Sequence, residues 1–309
     1  MALVDAISRK DYRPMTSSTS QKMDASEGAA EVKKKLFVLG LGAQKCGTTW
    51  LYSYLKKFDE ANFGDLKEYH IWDGKTLEVY KDFLVDKATL NANKDVKAHA
   101  GLKIRHDMQH VDGFYEDYFD KLVQQESVRI TGDISPSYSS LSVETLQEIK
   151  RRLESKGFCI KVFFLMRDPV ERSWSAVRMS RRNQVWAGGL EENLLSELDH
   201  VRKAYSNEHF QLRTNYQDAI ENIEQVFAAE YTYFAIYEEM FTEESLARLG
   251  AFLGIGTKTG HLTQKVNATE KGDSLPRELR SEIAAFYGDQ YAYCNARFPQ
   301  TKSLWNIEA

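Results

Sequence analysis

The chain is 309 residues long, 42% hydrophobic and 28% charged, with a net charge of −4 and a pI near 6.0. That balance suits a folded protein of one large domain or two modest ones, and gives no global electrostatic case for binding nucleic acid. Three cysteines, Cys46, Cys159 and Cys294, make no disulfide framework, so a reducing compartment is the simpler reading.

Residues 1 to about 30 are rich in Ser, Thr, Ala and charge, with little to bury, and read as a flexible N-terminal tail. The opening MALVDAISRKDYRPM has no signal-peptide apolar core. No stretch approaches a membrane span, the longest apolar run being Leu36 to Ala43. The expectation is a cytoplasmic protein.

After the tail, apolar runs alternate with amphipathic ones. Leu36 to Leu41 reads as a buried strand and Thr48 to Phe58 as a helix. Val128 to Thr131 is a short strand. Ser142 to Ser155 reads as a helix, capped by Ser142, with Val143, Leu146, Ile149 and Leu153 at helical spacing. Ile160 to Met166 is the second clear buried strand. A helix follows, with Asp168 as cap, Pro169 in the first position and Glu171 completing the start. Tyr231 to Tyr237 is a strand, and Glu243 to Leu253 a helix ending at Gly254. Pro276 to Phe298 reads as one long final helix with Leu279, Ile283, Phe286 and Cys294 on one face. This alternation predicts an α/β fold with a central parallel sheet and helices on both sides. Ligands of such sheets bind beyond the carboxyl ends of the strands, where the Gly42–Thr49 loop and Arg167 both fall.

Gly42-Ala-Gln-Lys-Cys-Gly47-Thr48-Thr49 has the glycine spacing of a phosphate loop. Glycines let the backbone turn its N–H groups inward, and the next helix points its positive end at the anion. In the nucleotide-triphosphatase version the lysine follows the last glycine. Thr48 takes that place here, and the cation is Lys45, within the loop. A glycine-containing turn without ligand is the plain alternative.

With these residues in view, QKCGTTWL resembles the 5′-phosphosulfate loop of sulfotransferases that use 3′-phosphoadenosine 5′-phosphosulfate (PAPS). The resemblance implies a P-loop-like three-layer α/β/α fold, a single domain over 31–309, and donor contacts from Gln44, Lys45, Cys46, Gly47, Thr48 and Thr49. It also implies a contact from Trp50, an aromatic position of the cytosolic small-molecule branch that lies against the adenine. In LMRDPVERSWSAV, Arg167 is followed eight residues on by Ser175, an arrangement the family uses for the 3′-phosphate. A helix-start salt bridge is the bland reading of that stretch. LKEYHIWDG resembles a segment of the heparan sulfate-type branch, whose proposed base maps to Glu68, with Lys67 and His70 beside it. VNATEKGDSLP resembles a donor-binding loop, mapping to Lys271 and Gly272. GDISPSY resembles a segment in which an acceptor-contacting lysine is usual; Ile134 stands there, which puts an anionic polysaccharide acceptor in doubt.

The implied activity is in-line sulfuryl transfer to a hydroxyl or amine of a small metabolite or carbohydrate, releasing adenosine 3′,5′-bisphosphate (PAP). Lys45, Glu68 and His70 would be the catalytic residues, with Glu68 the first choice of base and His70 the second, and no metal required. A P-loop small-molecule kinase and a non-catalytic nucleotide-binding protein stand as alternatives. His106 and His110, an i, i+4 pair, lack a third ligand at a telling spacing. Tyr69, Trp72, Tyr138 and Trp186 are aromatics that core packing explains as well as an acceptor pocket does. Oligomeric state is not legible.

Overall fold

A computed structural model describes residues 34–92, 95–183, 196–261 and 275–305. Four strands form one parallel sheet in the order β2-β1-β3-β4: β1 Leu36–Gly42, β2 Ile130–Ile134, β3 Cys159–Met166 and β4 Thr232–Ile236. Every residue of β1 is buried, as a strand paired on both edges and covered on both faces requires. Register places Gly40 beside Ile134, Gly42 beside Phe164, and Met166 beside Ile236, so the carboxyl ends of all four strands meet along one edge.

The sheet is flanked by helices: α1 Thr48–Leu55, α2 Trp72–Thr76, α3 Lys87–Ala92, α4 Val96–His110, α5 Phe114–Val123, α6 Val143–Ser155, α7 Pro169–Asn183, α8 Glu197–Ala204, α9 Glu208–Leu212, α10 Tyr216–Val226, α11 Glu243–Leu253, α12 Arg277–Phe286, α13 Gly288–Arg297 and α14 Thr301–Leu304. The architecture is the P-loop-like α/β/α arrangement with a parallel sheet that the sequence implies. No described helix is long and apolar enough to cross a membrane.

The local signals act where they stand. Ser142 Oγ accepts from Thr145 N at 3.3 Å, and α6 buries Leu146, Ile149 and Leu153. Asp168 Oδ1 accepts from Val170 N at 2.8 Å and Glu171 N at 3.1 Å, with Pro169 as the first helical residue of α7. Helix α11 ends at Gly254, left-handed at φ 64°.

Three elements differ from the expectation. Helix α1 stops at Leu55. Strand β2 is shifted to Ile130–Ile134, because it contains two buried polar residues, Thr131 and Asp133, that an apolar count ends at. The expected final helix is two: the chain leaves helical geometry at Tyr287 and restarts at Gly288. That break leaves Phe286 45% exposed while Leu279, Ile283 and Cys294 are buried. The N-terminal tail lies outside the described residues.

Candidate functional site

The loop after β1 holds its shape through left-handed residues. Gly42 has φ 126° and Gly47 φ 100°. A Cβ at Gly42 would stand 2.5 Å from the carbonyl oxygen of Pro136, and one at Gly47 3.1 Å from Met240 Sδ and 3.2 Å from Tyr237 Cδ2. At Gly42 a side chain would collide with backbone, and at Gly47 it would crowd Met240 and Tyr237 in a backbone state that side chains rarely adopt. Lys45 is itself left-handed at φ 70°, a strained state for a residue with a side chain, kept only where neighbours fix it. Helix α1 opens on Gly47 without a side-chain cap, which leaves its first N–H groups to serve an anion.

On the β3 side of the loop stands Arg167. Its guanidinium lies 4.5 Å over the Tyr237 ring, and Tyr237 is also a neighbour of Gly47. Nη2 is 3.4 Å from Glu171 Oε2, and Glu171 Oε1 in turn binds Arg280 of α12 at 2.6 Å. Arg167 Nε is buried and has no hydrogen-bond partner among the described residues. Cys46 packs under the loop, its Sγ 3.7 Å from the Tyr216 hydroxyl. Burial pushes the Cys46 thiol up to about 12, well away from a reactive thiolate. Ser175 is half-buried on α7.

The β2 side carries Glu68 and His70, on a segment without regular structure. Its carbonyls are taken by α4: Arg105 Nε donates to Tyr69 O at 2.7 Å and Nη2 to Glu68 O at 3.1 Å, while Gln109 Nε2 donates to His70 O at 3.0 Å. His70 is left-handed at φ 55°, and its imidazole lies 3.7 Å from the Phe83 ring, stacked. Its Nε2 is 3.3 Å from Glu68 Oε2, and its Nδ1 2.7 Å from Asp73 Oδ2. Ser137 Oγ donates to the same Asp73 oxygen and lies 3.3 Å from His70 Nδ1. Ser137 sits in the short 3-10 turn Pro136–Ser140 after β2, the turn against which Gly42 packs.

The electrostatics follow from this arrangement. Burial works against charge on Glu68, but hydrogen bonds from His70 and Lys67 outweigh it and hold the carboxyl down at about 2. Burial likewise opposes an imidazolium at His70, yet hydrogen bonds to Asp73 and Glu68 prevail and raise its pKa above the ordinary 6.5.

Thus Lys45, Arg167, Glu68 and His70, far apart in sequence, stand at one edge of the sheet. Gln44, Gly47 and Thr49 are half-buried in or beside the loop, and Thr48 is buried. Trp50 is 4% exposed, stacked on Tyr54 at 5.5 Å and edge-on to Phe241 at 5.3 Å. Lys271, Gly272 and Trp186 lie outside the described residues. Tyr69, Trp72 and Tyr138 are all buried. His110 Nε2 is 3.0 Å from the Val85 carbonyl and His106 Nδ1 3.1 Å from Asp107, and no described group of three His, Cys, Asp or Glu could hold a metal ion. Ile134 is buried against Gly40, where a Cβ would stand 2.7 Å from Ile134 Cγ2. Sequence reading passed over Asp73, Ser137, Tyr237 and Arg280. Their roles depend on contacts that no local spacing announces.

A family model for the sulfotransferase domain matches residues 34–272. In structure the chain is similar to a sulfotransferase from Alicyclobacillus acidocaldarius, at 19% identity and a TM-score of 0.53, covering 88% of this chain and 98% of that one. It is also similar to the sulfotransferase domain from the curacin biosynthetic pathway, at 18% identity and a TM-score of 0.46, covering 79% of this chain and 80% of that one. A sulfotransferase from Mycobacterium avium gives 14% identity and a TM-score of 0.41, with 83% and 76% covered. Likeness at such identities concerns the fold alone. No curated protein matches the sequence significantly.

Proposed function

The chain belongs to the sulfotransferase domain family, and from that premise we propose that it moves the sulfuryl group of PAPS, in line, to a hydroxyl or amine of a small-molecule or carbohydrate acceptor. The kinase and non-catalytic readings give way to family membership: the chemistry is sulfuryl transfer. The observation that supports the donor assignment is that Lys45 lies within the glycine-framed loop after β1, while Arg167, at the end of β3, stands beside that loop across Tyr237. The residues present fit a two-anion donor. Arg167 has a buried Nε with no partner among the described residues, and the frame at Gly42 and Gly47 disfavours side chains.

In this reading the loop from Gln44 through Thr49 cradles the 5′-phosphosulfate, Trp50 supports the base side, and Arg167 with Ser175 holds the 3′-phosphate. A guanidinium gives fork-like, charge-assisted bonds to phosphate. Lys271 and Gly272, which the resemblance implies as further donor contacts, lie outside the described residues. Lys45 and the loop N–H groups stabilise the charge that builds on the bridging oxygen as PAP leaves. That explains a lysine inside the loop, since it serves a leaving phosphate and not a γ-phosphate. Glu68 or His70 receives the acceptor's proton. The scheme calls for no metal, and cytoplasmic action is part of the proposal. Ile134, packed into the sheet, leaves no cation at its position for an anionic polysaccharide.

The test is thermal stabilisation by PAP and, separately, by ATP with magnesium. A ligand at one hundred times its Kd adds about 2.7 kcal/mol to the folded state. A clear shift with PAP that disappears in Arg167→Ala is the expected result. Stabilisation by ATP–magnesium alone would overturn the donor assignment.

A further inference from the structure

His70 has two ring nitrogens with different partners. Nδ1 faces Asp73 Oδ2 at 2.7 Å, and Asp73 is fully buried. The other oxygen of Asp73, Oδ1, accepts from Gly74 N at 2.8 Å, and Ser137 Oγ donates to Oδ2. Both of the other groups bonded to that carboxylate donate to it, and a 2.7 Å contact between Nδ1 and an ionised carboxylate oxygen calls for a hydrogen on Nδ1. In the neutral ring Nε2 is then left with its lone pair, aimed at Glu68 Oε2 at 3.3 Å. A lone pair and a carboxylate repel unless one proton lies between them. Phe83 covers the face of the ring, while Gln109 on the His70 carbonyl and Ser135 Oγ, accepting from its N–H at 3.3 Å, fix the backbone that carries it.

We propose that Asp73, with Ser137, is a positioning residue for the transfer reaction. It fixes the His70 ring so that Nε2 and the Glu68 carboxylate form a single proton site, and the two act together as base. This rests on the sulfotransferase reading of the site. As a lone pair of the acceptor oxygen forms the new O–S bond, the S–O bond to the donor's bridging oxygen breaks. Its electron pair leaves on PAP, and the acceptor's proton passes to the Glu68–His70 pair. The choice between Glu68 and His70 thereby dissolves, because neither holds the proton alone.

The pair is the base only after it has lost its resting proton, so transfer rises with pH through that ionisation. The charged and titratable groups around His70 are Glu68 and Asp73 in contact, Lys67 on Glu68, Arg105 on the carbonyls of residues 68 and 69, and Asp133 with Tyr138 behind Ser135. Of these, Asp73 and Glu68 act on the ring directly and both favour its protonated form.

The experiment is 15N NMR on the labelled full chain, with the His70 signals assigned by their absence in His70→Gln. Above the titration midpoint the wild-type ring is expected as the Nδ1–H tautomer. In Asp73→Asn the midpoint is expected to fall by about one pH unit, since a full charge beside the ring is lost. An Nε2–H tautomer in the wild type, which needs no variant to observe, would overturn the proposal. So would a folded Asp73→Asn with an unmoved midpoint. Neither measurement needs turnover. Failure here leaves sulfuryl transfer standing, whereas normal transfer of labelled sulfuryl by Lys45→Ala would sink the catalytic reading without touching the tautomer.

Discussion

The Tyr216 hydroxyl donates to the carbonyl oxygen of Arg167 at 2.8 Å. The same oxygen of Tyr216 lies 3.7 Å from Cys46 Sγ, so one buried phenol ties the end of β3 to the underside of the loop after β1. Two stretches that the proposal assigns to opposite ends of the donor are thus mechanically joined. Their spacing is set by a residue of α10 that meets Arg167 at its backbone and Cys46 at its thiol, and is not itself among the proposed phosphate contacts.

Removing that hydroxyl should therefore loosen both sites together. Tyr216→Phe keeps the ring packing and deletes the hydrogen bond, leaving the Arg167 carbonyl without that partner in a part-buried place. A loss of about 1 to 3 kcal/mol in unfolding free energy is expected, with PAP affinity falling several-fold. Denaturant unfolding and a PAP titration on the same variant check it. Unchanged PAP affinity would mean that the tie is structural only.

Glu171 sits between two guanidiniums, 2.6 Å from Arg280 and 3.4 Å from Arg167. Its carboxylate competes with any phosphate for Arg167 and lowers the positive potential that a phosphate would meet. Partly exposed pairs of this kind contribute about 0–1 kcal/mol to stability. Glu171→Gln should then leave the melting temperature nearly unchanged while tightening PAP binding several-fold at low salt. The gain should shrink as salt screens the freed charges. Calorimetric titration at two ionic strengths decides this, and weaker binding in the variant would show that Glu171 positions Arg167 instead of competing for it.

What the sequence announced was what depends on neighbours in the chain. The glycines at 42 and 47, the apolar run into Arg167, and the caps at Ser142 and Asp168 are local signals, and each stands where its chemistry places it. The partners of the site are not local. Ser137 meets Asp73 across 64 positions, and Tyr216 meets Arg167 across 49. Helix α4 shows no apolar stripe because the residues it turns inward include Gln109, and Arg105 reaches the site's backbone; its work is hydrogen bonding. Helix α10 is missed although Tyr216, Ala219, Ile220 and Ile223 are buried at helical spacing, because the strand–helix alternation alone passes over it. The break at Tyr287 has no proline to announce it, only Gly288 at the start of the next helix.

Asp133 makes an ionisation test of the core beneath the site. It is fully buried at the end of β2, and burial pushes its pKa up to about 6, although hydrogen bonds from Ser135 and Tyr138 pull the other way. The folded state therefore holds this proton more tightly than the unfolded chain, whose aspartate titrates near 3.8. Stability from this group is present in full below the unfolded value and is lost as pH rises through about 6. A shift of some two units corresponds to roughly 3 kcal/mol. Asp133→Asn cannot ionise, so wild type should gain on the variant as pH falls from 7 to 4. Denaturant unfolding of both proteins over that range measures the difference directly, every other titrating group being common to the two. A difference that stays flat with pH would mean that Asp133 carries no raised pKa. Its bonds to Ser135, Tyr138 and Tyr115, the last at 3.3 Å, would then be those of an ordinary buried carboxylate.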